Sequence, residues 1–277
     1  MIMQRLLLAL PLALALLVSA PIAAAQQSSP VEDVIWQNGL RDHFFPNEDI
    51  WDGDGVVSLE APYRAQNAAI VPVNITAAFP QSEDRYIETI WLIVDKNPGP
   101  LAGRFDFSAK AGRADLALRL RIDQYSPIRV VARTNDGRLH MTRTFVKASG
   151  GCSAPAGADL DAAMARLGKM KFRELDPNNE AQARQFQLNV SHPNINGMQM
   201  DQLTQLYLPA HFVRDVKVSL DGEQIFSAQT GFSISENPSF RFYMRPEVAG
   251  KLTAEVTDTK DMKFSQTFEV ANGGTGQ

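Results

Sequence analysis

The sequence predicts an all-β protein: two immunoglobulin-like β-sandwich domains in tandem, joined by a Gly/Ala/Pro linker and a short helix. Apolar and polar residues alternate over many short stretches, as in 116–122, where Leu116, Leu118 and Leu120 fall on one face and Arg119 and Arg121 on the other. That period of two belongs to half-buried strands. Turn signals separate the stretches at regular intervals, the pattern of a sandwich. Helical spacing is confined to two short segments, 30–45 and 159–171.

The chain opens Met1-Ile2-Met3-Gln4-Arg5, continues with an apolar run over 6–18 and reaches Ala23-Ala24-Ala25. A charged start, a short apolar core and a small-residue end are the layout of a secretory signal peptide, here 1–25. The core is short for a membrane span and Pro11 interrupts it. The mature protein is therefore expected in the periplasm, with no membrane span after cleavage. The net charge of −4 gives no reason to expect nucleic acid or anionic lipid as a partner.

The first domain is expected over 26–147. Val31, Val34, Ile35 and Leu40 give an amphipathic lead-in that Pro46 ends. Trp51-Asp52-Gly53-Asp54-Gly55 is a turn and not a calcium loop, because Tyr63 stands where an EF-hand needs its bidentate Glu. Strands follow at 69–75, with Pro72 marking an edge or bulge, at 87–94 as a central strand apolar on both faces, and at 103–107, 116–122, 128–134 and 139–147. Asp136-Gly137 joins the last two as a hairpin.

The segment 148–183 is read as a cysteine-bearing arm and helical linker. Cys152 is the only cysteine in the chain and sits among small residues and Pro. Gly150 and Gly151, which lack Cβ, are expected to make this arm flexible, so that the thiol is presented and not packed. An exported protein with one unpaired cysteine points to an intermolecular bond or a reactive thiol. Asp159 is expected to cap a helix over 159–171. The second sandwich is expected over 184–270, with strands at 184–190, 212–220, 224–231, 239–244, 252–258 and 264–270. Asp221-Gly222 is its hairpin signal. The tail 271–277 is Gly-rich and expected to be disordered.

The histidines His43, His140, His192 and His211 have no metal-ligand spacing among themselves, so no metal site and no cofactor are expected. His192 and His211 flank a long polar, Met-dotted stretch; either could approach Cys152 and act as a base. With no second catalytic group beside it in sequence, Cys152 reads as an attachment point, and the protein as no enzyme.

The chain resembles a sulfur carrier of the SoxYZ family with its two subunits fused. Asp95-Lys96-Asn97-Pro98-Gly99-Pro100 with Phe105, and the arm Gly150-Gly151-Cys152, look like SoxY. Ser191-His192-Pro193, Pro209-Ala210-His211-Phe212-Val213 and Ser235-Glu236-Asn237-Pro238 look like SoxZ. The resemblance implies covalent carriage of a sulfur-type intermediate on Cys152 between periplasmic redox enzymes. Two departures stand out. The family's arm ends its chain and its cysteine is followed by glycine, whereas here Ser153 follows and the chain runs on, tethering the thiol at both ends. The fused form is also similar to the SoxYZ-like carriers that accompany pyrroloquinoline-quinone (PQQ) dehydrogenases. A non-covalent accessory module for such a dehydrogenase or its cytochrome is the alternative, a thiol enzyme with His192 or His211 as base the third reading. A Cys152 disulfide dimer is a resting form open to all three.

Overall fold

The computed structural model describes residues 33–155, 160–175, 183–245, 247 and 249–271. The expected signal peptide and residues 272–277 of the expected tail lie outside them. The expectation of an all-β chain of sandwich architecture holds. A π-helical turn, Trp36–Leu40, and helix α1 (Arg41–Phe44) lead in. The first-half strands are β1 (Ile50–Asp52), β2 (Val57–Glu60), β3 (Val71–Ala77), β4 (Ile87–Val94), β5 (Leu101–Phe107), β6 (Leu116–Leu120), β7 (Ser126–Thr134) and β8 (Leu139–Val146). After helix α2 (Leu160–Met164) come β9 (Met170–Glu174), β10 (Arg184–Val190), β11 (Val213–Leu220), β12 (Glu223–Thr230), β13 (Ser239–Met244), β14 (Gly250–Asp258) and β15 (Lys263–Val270).

Both layers of the sandwich run through both halves. One sheet has the order β1-β8-β7-β4-β5-β12-β11-β14-β15, the other β2-β3-β6-β13-β10-β9. The halves meet edge to edge: β5 pairs antiparallel with β12, from Phe107 opposite Phe226 to Gly103 opposite Thr230, and β6 pairs with β13 at Ala117 and Arg241. An edge strand exposes a row of unpaired N–H and C=O groups, and here each half supplies the other's missing neighbour. The core is likewise continuous. Phe105 of the first half stacks on Phe226 of the second with ring centroids 6.2 Å apart, and Phe226 stacks on Phe242 at 5.6 Å.

Local expectations meet the structure as follows. Strand β4 is central, between β5 and β7, and Ile90, Leu92, Ile93 and Val94 are fully buried. Pro72 lies in β3 where only β6 pairs with it, because β2 reaches no further than Asn74, so its missing donor falls on a locally open side. Asp221 and Gly222 take φ of 47° and 86°, the left-handed pair that a two-residue hairpin needs. The linker helix is shorter than expected: α2 is a single turn, and Met170–Glu174 leaves the helix for a strand paired with β10. The apolar spacing of Leu160, Met164 and Leu167 extended the helical reading too far. The helix ends at Met164 and a turn runs to Gly168 (φ 73°), beyond which Phe172 stacks on Phe186 at 5.2 Å.

The stretch 191–212 is pinned down by a buried His–Asp–His contact. His211 Nε2 donates to Asp258 Oδ2 at 2.7 Å; His192 Nε2 faces the same oxygen at 3.5 Å. Asp258 Oδ1 accepts the backbone N–H groups of Lys260 and Met262. Burial works to raise the Asp258 pKa, but these bonds together hold it below the ordinary carboxylate value. Burial first, and then the charge of His211, push His192 down to about 4. An unfolded histidine takes its proton near 6.5, so the stabilisation from neutral His192 is complete above that pH and is lost as pH falls towards 4. Urea unfolding at pH 7 and pH 4.5 is expected to show a loss of which about 2 kcal/mol disappears in His192→Gln; an equal loss in both proteins would refute this role.

Candidate functional site

The site forms where the chain leaves β8 and crosses the junction of the two halves. It does not stand out as a free arm. Cys152 is fully buried, contrary to the expectation of a presented thiol. The residues near it in sequence are small and could not bury it; backbone and side chains distant in sequence do. Gly150 N–H donates to Asp123 O at 2.8 Å and Gly151 N–H to Ile122 O at 2.9 Å, while Ile122 N–H donates to Ala68 O. Asn196 Nδ2, from the second half, donates to Cys152 O at 2.7 Å.

The glycines are therefore needed for fit and turn geometry. Gly150 has φ of 76°, a conformation costly for other residues. A Cβ on Gly151 would stand 2.1 Å from Ala68 O and 2.6 Å from Ile122 O, both backbone atoms. The pair docks the strip against the end of β6, and at Gly151 no space is left for a side chain.

Arg121 is the residue that the sequence pattern misassigned. Alternation puts it on the solvent face with Arg119, yet it is only 1 % exposed. Strand β6 ends at Leu120, and the second half then covers the chain. Leu120 bridges Ile234, Arg121 N–H donates to Ser233 O, and Asn97 Nδ2 donates to both Arg121 O and Ser233 Oγ. Arg121 Nη1 reaches Gly151 O at 3.3 Å; its Nε has no partner among the described residues. Burial pushes the Cys152 thiol up to about 12; Asp123 adds to this and the Arg121 charge opposes it. In this closed arrangement the thiol is a protonated, shielded group.

The polar residues of the family-like segments tie the chain together around the strip and form no catalytic relay. Asn97 Oδ1 accepts Asp123 N–H, Ser235 Oγ donates to Ala69 O, and Asn237 N–H donates to His192 O. His192 and His211 are committed to Asp258, and the charges acting on Cys152 are those of Asp123 and Arg121 and of neither imidazole. The structure thus does not bring a base to the sulfur. His192, His211 and Asp258 do have ligand atoms within 4.8 Å of one another. However, Asn194 N–H donates to His192 Nδ1 at 3.0 Å, so the neutral ring carries its proton on Nε2, the nitrogen that a metal would require. Beyond this buried shell the same loop exposes Leu203, Leu206 and Tyr207. No helix among the described residues is long and apolar enough to cross a membrane.

Residues 41–152 match the family model of sulfur oxidation protein SoxY, and residues 172–269 that of sulphur oxidation protein SoxZ. No curated protein matches the chain. Among solved structures it is similar to the sulfur carrier protein SoxY from Chlorobium limicola f thiosulfatophilum, at 22% identity over 43% of this chain and 100% of that one, with a TM-score of 0.35. It is also similar to a superoxide reductase (neelaredoxin) from Ignicoccus hospitalis, at 18% identity over 33% of this chain and 79% of that one, with a TM-score of 0.30. A β-glycosidase from Bacteroides vulgatus is 9% identical over 78% of this chain and 24% of its own, with a TM-score of 0.24. Likeness at these scores bears on no residue of the site. The two family matches, in order along one polypeptide, make the chain a SoxY domain fused to a SoxZ domain, within the sulfur-oxidation carrier family.

Proposed function

We propose that the protein is an exported covalent carrier that holds a sulfur-type intermediate on Cys152 and presents it to periplasmic redox enzymes. One observation carries this reading: the SoxY match runs to Cys152 itself, the one thiol of the chain. The buried thiol supplies the other half of the mechanism. With its pKa pushed up to about 12, the thiolate fraction is about a thousandfold below that of a free cysteine. Loading and unloading then require the 191–212 loop to lift, or the 150–152 strip to undock, on contact with a partner.

The same burial favours a second reading, in which Cys152 is a structural residue and the chain is a non-covalent accessory of a PQQ dehydrogenase or its cytochrome. A variant separates the two. Cys152→Ser is expected to fold normally and to abolish pathway flux in cells, while intact mass spectrometry of the native protein should find a reductant-labile adduct on Cys152. Unchanged flux, with the Ser variant still recovering the same dehydrogenase partner, would establish the accessory reading.

Opening should be measurable directly. Gly151→Ala cannot keep the strip docked, because the new Cβ meets fixed backbone oxygens. Iodoacetamide should label Cys152 at least roughly tenfold faster in that variant than in the wild type at pH 8. Equal rates would mean that docking at Gly151 does not control access to the thiol.

A further inference from the structure

Among the described residues, β1, β2, β9 and β15 end the two sheets. A long, flat, open edge is a template for another strand, and a short edge strand is a poor one. β1, β2 and β9 have three, four and five residues. β15 has eight, runs in unbroken register against β14 and contains no Pro. The hairpin before it fixes which of its backbone groups are free. Asp258 N–H donates to Met262 O at 3.1 Å, and the register continues from Thr257 opposite Lys263 to Gly250 opposite Val270. Backbone groups along an antiparallel strand point alternately to its two sides. Those of Phe264, Gln266, Phe268 and Val270 therefore point to β14, and those of Lys263, Ser265, Thr267 and Glu269 point out to the open edge. The side chains alternate as well. Phe264 and Phe268 pack half-buried against the core, and Gln266 Oε1 accepts Met170 N–H, whereas Lys263, Ser265, Thr267 and Glu269 lie exposed on the other face.

We propose that β15 is a self-association edge: two copies of this chain pair β15 with β15 about a two-fold axis at Gln266. In a two-fold contact each residue must suit its own symmetry partner. Read outward from Gln266, the strand is chemically self-complementary: Ser265 and Thr267, then Phe264 and Phe268, then Lys263 and Glu269. Antiparallel pairing about Gln266 sets Ser265 opposite Thr267 of the second copy, Phe264 opposite Phe268 and Lys263 opposite Glu269. The residues whose backbone groups point outward then face one another, so their N–H and C=O groups complete a ladder. The half-buried rings extend the core across the axis on one face, and opposite charges meet on the other. A slip of two residues would put Phe264 opposite Gln266, or Lys263 opposite Ala271, and would lose both the ring pairs and the charge pairs. The contact lies at the end of the sheet, separated from β12 by β11 and β14, so each copy keeps its own Cys152 site away from the axis. The proposal does not depend on what Cys152 carries.

Sedimentation velocity of the purified protein tests this, in reductant so that no Cys152 disulfide contributes. Wild type should pass from monomer to dimer between roughly 1 μM and roughly 500 μM. Lys263→Glu sets Glu opposite Glu across the axis, and Glu269→Lys sets Lys opposite Lys, and like charges directly opposite are destabilising. Each variant alone should dimerise at least about tenfold more weakly than wild type. An equimolar mixture of the two should recover the wild-type affinity to within about threefold, because both ion pairs re-form. Both positions are exposed, and circular dichroism checks that each variant is folded. Ser265→Pro removes a backbone N–H that points outward and none that points to β14, a substitution that an edge strand tolerates; it should abolish the dimer. A wild type that stays monomeric throughout overturns the proposal and leaves the edge to some other extended chain. So do charge variants that associate as strongly as wild type, a mixture that fails to recover the dimer, or a Ser265→Pro protein that still dimerises. If a charge variant does not fold, Ser265→Pro decides.

Discussion

The pairing of β5 with β12 is the constraint on which the rest depends. Each half has an edge that would otherwise expose backbone donors and acceptors, and each satisfies the other's. Once the sheets are continuous, Phe105 and Phe226 share a core, and the turn of Ser233 and Ser235 lies over the end of β6. The 148–152 strip then leaves β8 into a crevice between the halves. A tether that would be mobile at the end of a single domain becomes a docked strip, held by hydrogen bonds at Gly150, Gly151 and Cys152.

Much of this was legible in the sequence, because the period of two reports directly on which side of a strand is buried. The bounds of β10 and β13 follow from it; β4 is legible as an unbroken apolar run, and the hairpin at Asp221-Gly222 and the local edge at Pro72 from the backbone chemistry of those residues. What failed were positions where an element ends and long-range contact takes over. Arg121 stands one residue past β6, where alternation no longer says what covers a side chain. Cys152 is buried because its strip docks on Ala68, Ile122 and Asn196, none of them near it in sequence. Met170–Glu174 alternates apolar and charged residues, but over only five positions and directly after helical spacing, and β10 offers it an edge. Gly150 and Gly151 were recognised as special for the right chemical reason, the missing Cβ, but that absence permits close approach as readily as flexibility.

The histidines show how a motif can be functional in position without being catalytic. Both imidazoles meet at Asp258, at the two ends of the loop that contributes Asn196 to the site. Their work is to hold that loop on β14. The loop's buried face is mostly polar: His192, Asn194, Asn196 and Gln199 are all below a tenth exposed, with Pro193 and Ile195 the buried apolar residues among them. A polar lid can leave its seat for water at lower cost than an apolar one, since its groups regain hydrogen bonds there. That is a property suited to a cover that must open, and unsuited to a permanent core.

On the proposed reading, a carrier exported to an oxidising compartment faces two opposed demands. Its thiol must react with the right partner and must not react with anything else. Flexibility alone meets the first demand and fails the second. Burial beside Arg121 separates them. In the closed form desolvation outweighs the nearby cation, and the thiol keeps its proton. Removing the cover removes the desolvation, the larger influence, while Arg121 belongs to the β6 side and stays. With the cover lifted, desolvation would no longer hold the proton on the sulfur, and the charges of Asp123 and Arg121 would act on it in opposite senses. No base is needed for that change, which is consistent with the commitment of both histidines elsewhere.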